Sequence, residues 1–296
     1  MTSAPKVNRK LPYVVFLGIF WGLNFPVSKF AVSHFDPYSL RLLTCLISLF
    51  PYLYLSLPIL RDISNLSWRE VYRLCLLAVP LFVVVPLFNL IALNYLDSST
   101  AVILIYTMPA IRSLIHIFKS RQFSLVHFIP MTFCVSGCLF IILGSNLISL
   151  GHGIILLGAI IWAMGGYFFD EEKISVDPRM GAFIQLIFAA IVNILIVLIF
   201  AGIGNTLPMP KLSFDLVLSL FYIGIMGNGI AFIIWYRLMI NFGSRYAAYS
   251  MMTAPPIGVI ASMLINDEHI HMYVYIGLFL MIASMVTNHR FTQRHK

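Results

Sequence analysis

Charge is what this sequence has least of, and acid least of all. Only 10% of its 296 residues are charged, and just 11 are Asp or Glu. Soluble domains carry about 25% charged residues, so a water-exposed globule of this composition is excluded. The four cysteines, Cys45, Cys75, Cys134 and Cys138, show no CxxC or Cys/His ligand spacing and lie in apolar stretches; they read as small packing residues. No constellation of His, Asp, Glu, Ser or Cys has the spacing that catalysis needs, so an enzyme is not expected. Cofactor motifs are missing too. GIMGNG around Asn228 lies inside an apolar run and lacks the Lys-Ser/Thr ending of a phosphate loop. His269 and His271 beside Asp267 and Glu268 are too weak a pattern to predict a metal.

Hydrophobic residues fill the space: 60% of the chain, with a mean hydropathy of +0.93. Ten apolar runs follow one another, at 12–32, 38–58, 72–96, 99–119, 125–145, 151–171, 180–203, 213–237, 245–265 and 272–289. Each has roughly the 20 residues that a helix needs to cross ~30 Å of hydrocarbon. None alternates at period two, which excludes barrel strands. The first run is too long for the apolar core of a signal peptide, so it is expected to stay as a span. The fold class predicted is all-α and integral to the membrane, with ten transmembrane helices.

A net charge of +8 is compatible with nucleic-acid binding, but its placement argues against that. With a cytoplasmic N-terminus, 15 of the 19 Lys and Arg fall in cytoplasmic segments, against Lys211 alone on the other side. This is the positive-inside bias of multi-pass proteins. It predicts both termini in the cytoplasm of a protein integral to the cell (inner) membrane. The expected partners are the lipid bilayer and a small-molecule substrate; a homodimer is compatible with the chain.

An internal repeat emerges on self-comparison. An offset of 141 superposes Trp21 on Trp162 and Asp36-Pro37 on Asp177-Pro178. An offset of 146 superposes TMPAI from Thr107 on TAPPI from Thr253, Ser98 on Ser244, and Pro109 on Pro255. The halves are then 1–147 and 148–296, each with five runs. Five is odd, so the second half enters the membrane from the opposite side. Inverted repeats of this kind belong to secondary transporters, with the substrate near the midplane between them.

WGLNFPVSK followed by Asp36-Pro37 and Arg41 resembles the opening of the EamA-type members of the drug/metabolite transporter superfamily. ALNYLDSSTAVILIYTMP and YRLMINFGSRYAAYSMMTAPP resemble that family's two helix-turn-helix segments, and NDEHI its acidic close. The resemblance covers nearly the whole chain. It implies ten helices in two inverted five-helix repeats around a central cavity that passes small metabolites or drugs. One departure stands out: Glu268 fits the second acidic position, whereas the first holds Gln122.

Three cations lie inside runs: Lys29, Arg41 and Arg112. Lys29 and Arg41 flank the short turn holding Asp36 and are expected to pair with it or to reach the headgroups. Arg112 is deeper, and a mid-span Arg costs about 2.5–3.5 kcal/mol on insertion scales. With His116, Met108 and Pro109 it forms a stripe that predicts a cavity or gating role, the alternative being snorkelling. Trp21, Asn24, Tyr106, Trp162, Tyr167 and Asn228 combine aromatic faces with hydrogen-bonding groups at matching depths, as a small-molecule pocket needs. Pro26, Pro109 and Pro255 each remove a backbone donor and predict kinks or hinges. Gly18 and Gly22 predict close helix packing. No carboxylate lies mid-run, which disfavours antiport of lipophilic cations. The function expected is carriage of a small polar metabolite, such as an amino acid or related anion, by alternating access. A drug exporter of the same family and a non-transporting scaffold or sensor are the alternatives.

Overall fold

A computed structural model describes residues 11–58, 65–120, 125–145, 148–172, 176–204, 210–251 and 253–294. Every regular element among them is helical: α1 (Leu11–Val32), α2 (Pro37–Ser56), α3 (Trp68–Ala78), α4 (Val85–Ala92), α5 (Ser98–Ile105), α6 (Met108–Ser120), α7 (Leu125–Gly144), α8 (Leu150–Glu172), α9 (Pro178–Gly202), α10 (Phe214–Phe221), α11 (Ala231–Ser250), α12 (Ala254–Ile265) and α13 (Met272–Arg294). Two π-helical segments, Val79–Val84 and Tyr222–Ile230, join α3 to α4 and α10 to α11. Seven helical stretches among the described residues are long and apolar enough to cross a bilayer, while the apolar helices Phe128–Gly144, Ala254–Ile265 and Met272–Thr287 are shorter.

The repeated Asp-Pro pairs have a local cause. Asp36 Oδ1 accepts from the backbone N–H of Tyr38 and Ser39 at 3.0 and 2.9 Å. Asp177 Oδ1 does the same for Arg179 at 2.8 Å. Each aspartate satisfies donors that the first helical turn leaves open, and each following proline opens its helix where its missing N–H costs nothing. The expected pairing of Asp36 with Lys29 or Arg41 is therefore corrected: Asp36 is a helix cap. Lys29 instead donates from Nζ to the carbonyls of Leu93 and Leu96 at 2.7 and 2.9 Å. It thus places a positive charge on carbonyls that the end of α4 leaves without helical partners.

Two expected runs prove to be broken. The 99–119 run divides at Tyr106–Thr107, and the 245–265 run divides before Ala254. Proline explains the position in both cases. Pro109 cannot donate to the carbonyl of Ile105, nor Pro255 to that of Met251, and its ring crowds that carbonyl. The second helices start at Met108 and Ala254, which the offset of 146 superposes. The π-helical segments likewise end at superposed positions, Val84 and Ile230. Pro26 lies inside α1, and the Asn266 amide donates to its carbonyl at 3.1 Å.

A loop expected at 238–244 is replaced by helical backbone through Ser250. A straight helix would place Trp235 and Thr253 ~27 Å apart. Trp235 nevertheless packs on Trp21 at 6.0 Å, and the Thr253 side chain meets Gly18, one turn away on α1. The segment therefore folds back on itself before Thr253.

One end of the bundle gathers three turns. Glu268 accepts from the N–H of Ser98 and Ser99 at 2.7 and 3.0 Å and from the Ser98 hydroxyl at 2.6 Å, so it caps α5 from the far end of the chain. Asn266 donates to the Ser98 hydroxyl at 3.1 Å, and Ser98 and Ser262 hydroxyls lie 2.8 Å apart. The 32–37 turn joins them through Lys29. Among the described residues, a cluster of buried apolar side chains fills the interior. At the crossing of α1 and α12, a Cβ on Gly22 would lie 2.8 Å from the carbonyl oxygen of Ala254, so the expected close packing there depends on the missing side chain.

Candidate functional site

Between α1, α2, α4, α8 and the second π-helical segment lies a cavity of about 50 Å³, room for a few waters. Trp21, Asn24, Phe25 and Ser28 reach it from α1, Arg41 and Thr44 from α2, and Asn89 from α4. Tyr106, at the break between α5 and α6, and Trp162, Asn228 and Phe232 complete its wall. Ser28, Arg41 and Asn89 lie toward the end of the bundle where the three turns gather. Beneath them Trp21, Trp162, Phe232 and Trp235 pack edge to face or tilted, with ring centroids 5.3–6.2 Å apart. Deeper still, Phe169 stands edge-on to Tyr236 at 5.1 Å. The cavity thus has a polar upper wall and an aromatic floor.

The π-helical segments shape this wall. The wide turn displaces backbone carbonyls from their usual alignment, and two of them accept from side chains across the cavity. Trp21 Nε1 donates to Gly227 O at 2.9 Å, and Arg41 Nη2 donates to Phe82 O at 2.5 Å. Their acceptors lie one step apart under the offset of 146, since Phe82 matches Asn228. A Cβ on Gly227 would lie 2.3 Å from Asn24 Oδ1, so the bare glycine leaves room for that amide.

Of the side chains singled out in the sequence, the structure brings Trp21, Asn24, Tyr106, Trp162 and Asn228 to the cavity. Arg112 and Tyr167 lie elsewhere. Arg112 is half-buried between α6 and α8, with Nη1 3.4 Å from Ala163 O. Tyr167 meets the Lys119 ammonium, which bonds its hydroxyl and sits 4.7 Å from its ring centroid. Both occupy the half of the bundle away from the gathered turns.

Arg41 is the residue that sequence reasoning misplaced. It is 1% exposed, not snorkelled, because α2 packs between α9 and the second π-helical segment. Its position one turn into an apolar run gave no sign of that. Asn89, Thr44, Phe232 and Trp235 were also missed. The polar Asn89 inside an apolar run was the one available signal; the aromatics look like any lipid-facing residue until the fold is known.

A second depression, about 340 Å³, lies on the flank of α1, α10 and α12. It is larger, but its Ser219 and Tyr222 hydroxyls already donate to the carbonyls of Leu216 and Phe20. The smaller central cavity is where unsatisfied polar groups converge, and it is the candidate site.

Residues 9–143 and 149–288 match the EamA-like transporter family. The chain belongs to that family. Two proteins of Bacillus subtilis (strain 168) are similar to this EamA chain. "Uncharacterized transporter YoaV" is 22% identical over 203 residues, covering 66% of this chain and 68% of its own length. "Uncharacterized transporter YvbV" is 22% identical over 301 residues, covering 96% and 92%. A solved crystal structure superposes with a TM-score of 0.67 at 15% identity, over 96% of this chain and 98% of the other; at that identity the likeness concerns the fold alone. Membership of this family makes the chain a membrane transporter.

Proposed function

We propose that the protein is a secondary transporter carrying a small polar metabolite, an amino acid or a related zwitterion or anion, across the cytoplasmic membrane by alternating access. On this reading the chain forms ten spans in two inverted five-helix repeats, 1–147 and 148–296. Both termini are cytoplasmic, and the gathered turns at 32–37, 92–98 and 266–271 face outward.

The observation that carries the reading is the make-up of the cavity. Elements from both halves meet around it: α1, α2 and α4 from one, α8, α11 and the 222–230 segment from the other. Polar groups face inward over an aromatic floor. Such a site between two repeats is where inverted-repeat transporters hold substrate. The matched Asp-Pro caps, helix breaks and π-helical ends support the repeat. The volume of about 50 Å³ is well below the ~300 Å³ of a typical ligand pocket, as befits an occluded stage of a cycle. Among the described lining residues there is no carboxylate, which favours an anion or zwitterion over a cationic drug.

Reconstituted proteoliposomes test this directly. Uptake of a radiolabelled amino-acid mixture should exceed that of protein-free vesicles and be stimulated by unlabelled amino acids inside, the signature of a carrier that must return. Absence of both uptake and trans-stimulation, over amino acids and small organic anions alike, refutes the proposed substrate class.

A further inference from the structure

We infer that Arg41 is the anchor for a carboxylate: the occupant of the central cavity is a monocarboxylate, either plain or as one end of a zwitterion. This rests on reading the cavity as the transport site, and it moves the charge-recognition role from Arg112 to Arg41.

Arg41 lines the cavity while only 1% exposed. A buried guanidinium demands either a counter-charge or acceptors for its donors. It has one acceptor, Phe82 O, and its Nε and Nη1 have no partner. The nearest acid in sequence, Asp36, caps the start of α2 through Oδ1, and its buried Oδ2 bonds neither Arg41 nor any other described group. Glu268 is committed to α5. Every other described residue of the lining is neutral. The protein thus buries a positive charge with open donors against a cavity and supplies no anion of its own. A ligand carboxylate brings two acceptor oxygens and a single negative charge, which matches both deficits. A dianion would overshoot, leaving net negative charge in a low-dielectric space.

The opposite requirement appears nearby. Asn24 Oδ1 and Asn89 Oδ1 are buried, unpartnered and in the same wall. They can accept from an ammonium, while the Trp21 and Trp162 faces take an apolar body. A zwitterion with an apolar side chain would use all three features; a plain monocarboxylate would use two.

Three probes with one body separate these cases: 3-phenylpropionate, L-phenylalanine and phenethylamine, which carry the carboxylate alone, both groups, and the ammonium alone. Binding to the purified full-length protein in nanodiscs is read from tryptophan fluorescence, since Trp21, Trp162 and Trp235 form the floor. The carboxylate-bearing probes should bind and phenethylamine should not; tighter binding of L-phenylalanine than of 3-phenylpropionate identifies the zwitterion. Arg41→Gln should weaken both by on the order of 30-fold or more, as for a truncated buried charge pair. Arg41→Lys should keep the preference for carboxylates at reduced affinity. Without ligand, Arg41→Met should melt no lower than the parent, because it removes an uncompensated charge. A lower melting temperature together with unchanged probe binding would make Arg41 a structural clamp on Phe82 and overturn the inference. So would failure of both carboxylates to bind the parent, or equal binding of phenethylamine. Flux keeps the two readings apart. Arg41-dependent binding without transport retires the carrier but leaves the anchor. Carboxylate flux undiminished in Arg41→Gln does the reverse.

Discussion

Two matched crossings, each between a helix of the first half and one of the second, use opposite kinds of contact. Where α12 crosses α1, backbone meets backbone: a Cβ on Gly258 would lie 3.1 Å from Gly22 O, and one on Gly22 would lie 2.8 Å from Ala254 O. The offsets of 146 and 141 carry Gly258 onto Arg112 and Gly22 onto Ala163. At that second crossing, of α6 on α8, Arg112 reaches the carbonyl of Ala163 with its guanidinium. A Cβ on Gly166 would meet Arg112 Nη1 at 3.0 Å. One crossing is held by the absence of side chains and the other is bridged by a long, cationic one. Arg41 follows the same division, since its matched position is the buried Ala182. The scaffold fixes where helices cross; it leaves each half free to put packing or charge at the crossing.

Substitutions at the two crossings should differ most sharply. Gly22→Val forces branched carbon into a backbone carbonyl that cannot move alone, so a loss of ~3 kcal/mol or failure to accumulate is expected. Gly166→Ala displaces only the far end of the Arg112 side chain and should cost less than ~1 kcal/mol. Melting temperatures in detergent measure both, and equal losses would erase the distinction.

An intermediate effect is expected at the cap on α5. Glu268→Ala removes a carboxylate serving two backbone amides and a hydroxyl, a loss of about 2 kcal/mol. Hydrogen exchange should rise at the Ser98 and Ser99 amides. The matched Ser244 lies inside the α11 run, where no helix start needs a cap, so exchange there should not respond.

The smallest effect is expected at the Asp-Pro caps. Asp36→Ala and Asp177→Ala should each cost ~1 kcal/mol. The Arg179 guanidinium, 3.1 Å from Asp177, holds that carboxyl below the usual carboxylate range, with its hydrogen bond the main cause. A lowered carboxyl pKa stabilises above its unfolded value, roughly 3.9, and the benefit is lost as pH falls through the folded value. The difference between parent and Asp177→Ala should therefore be constant near neutrality and shrink below about pH 4. A difference that grows on acidification would contradict the cap.

Much of this was legible in the chain. Run lengths gave the helices, because burying backbone in hydrocarbon leaves little alternative to a helix. Asp36-Pro37 and Asp177-Pro178 announced helix starts through local chemistry that needs no tertiary context. Trp21, Asn24 and Trp162 were readable as cavity residues because depth along a helix is nearly a linear function of position. Direction around the helix is another matter. Arg41 and Phe232 sit in apolar runs whose other faces are equally apolar, so periodicity could not say which side looked inward. The breaks at Tyr106 and before Ala254 were hidden for a related reason: hydropathy is blind to a turn whose flanks are equally greasy. Pro109 and Pro255 marked them, but as helix starts rather than kinks.

On the transport reading, the small volume of the central cavity limits how tightly a substrate appears to bind. Space for a few waters cannot admit a metabolite, so a substrate meets only those molecules that have momentarily widened. Apparent affinity then equals intrinsic affinity scaled by the widened fraction; if that fraction were ~1%, binding would look about a hundredfold weaker than the contacts deserve. Occupancy would respond to anything that props the aromatic floor apart, even far from Arg41. A weak dissociation constant measured on this protein would accordingly report the scarcity of its receptive form as much as the quality of its fit.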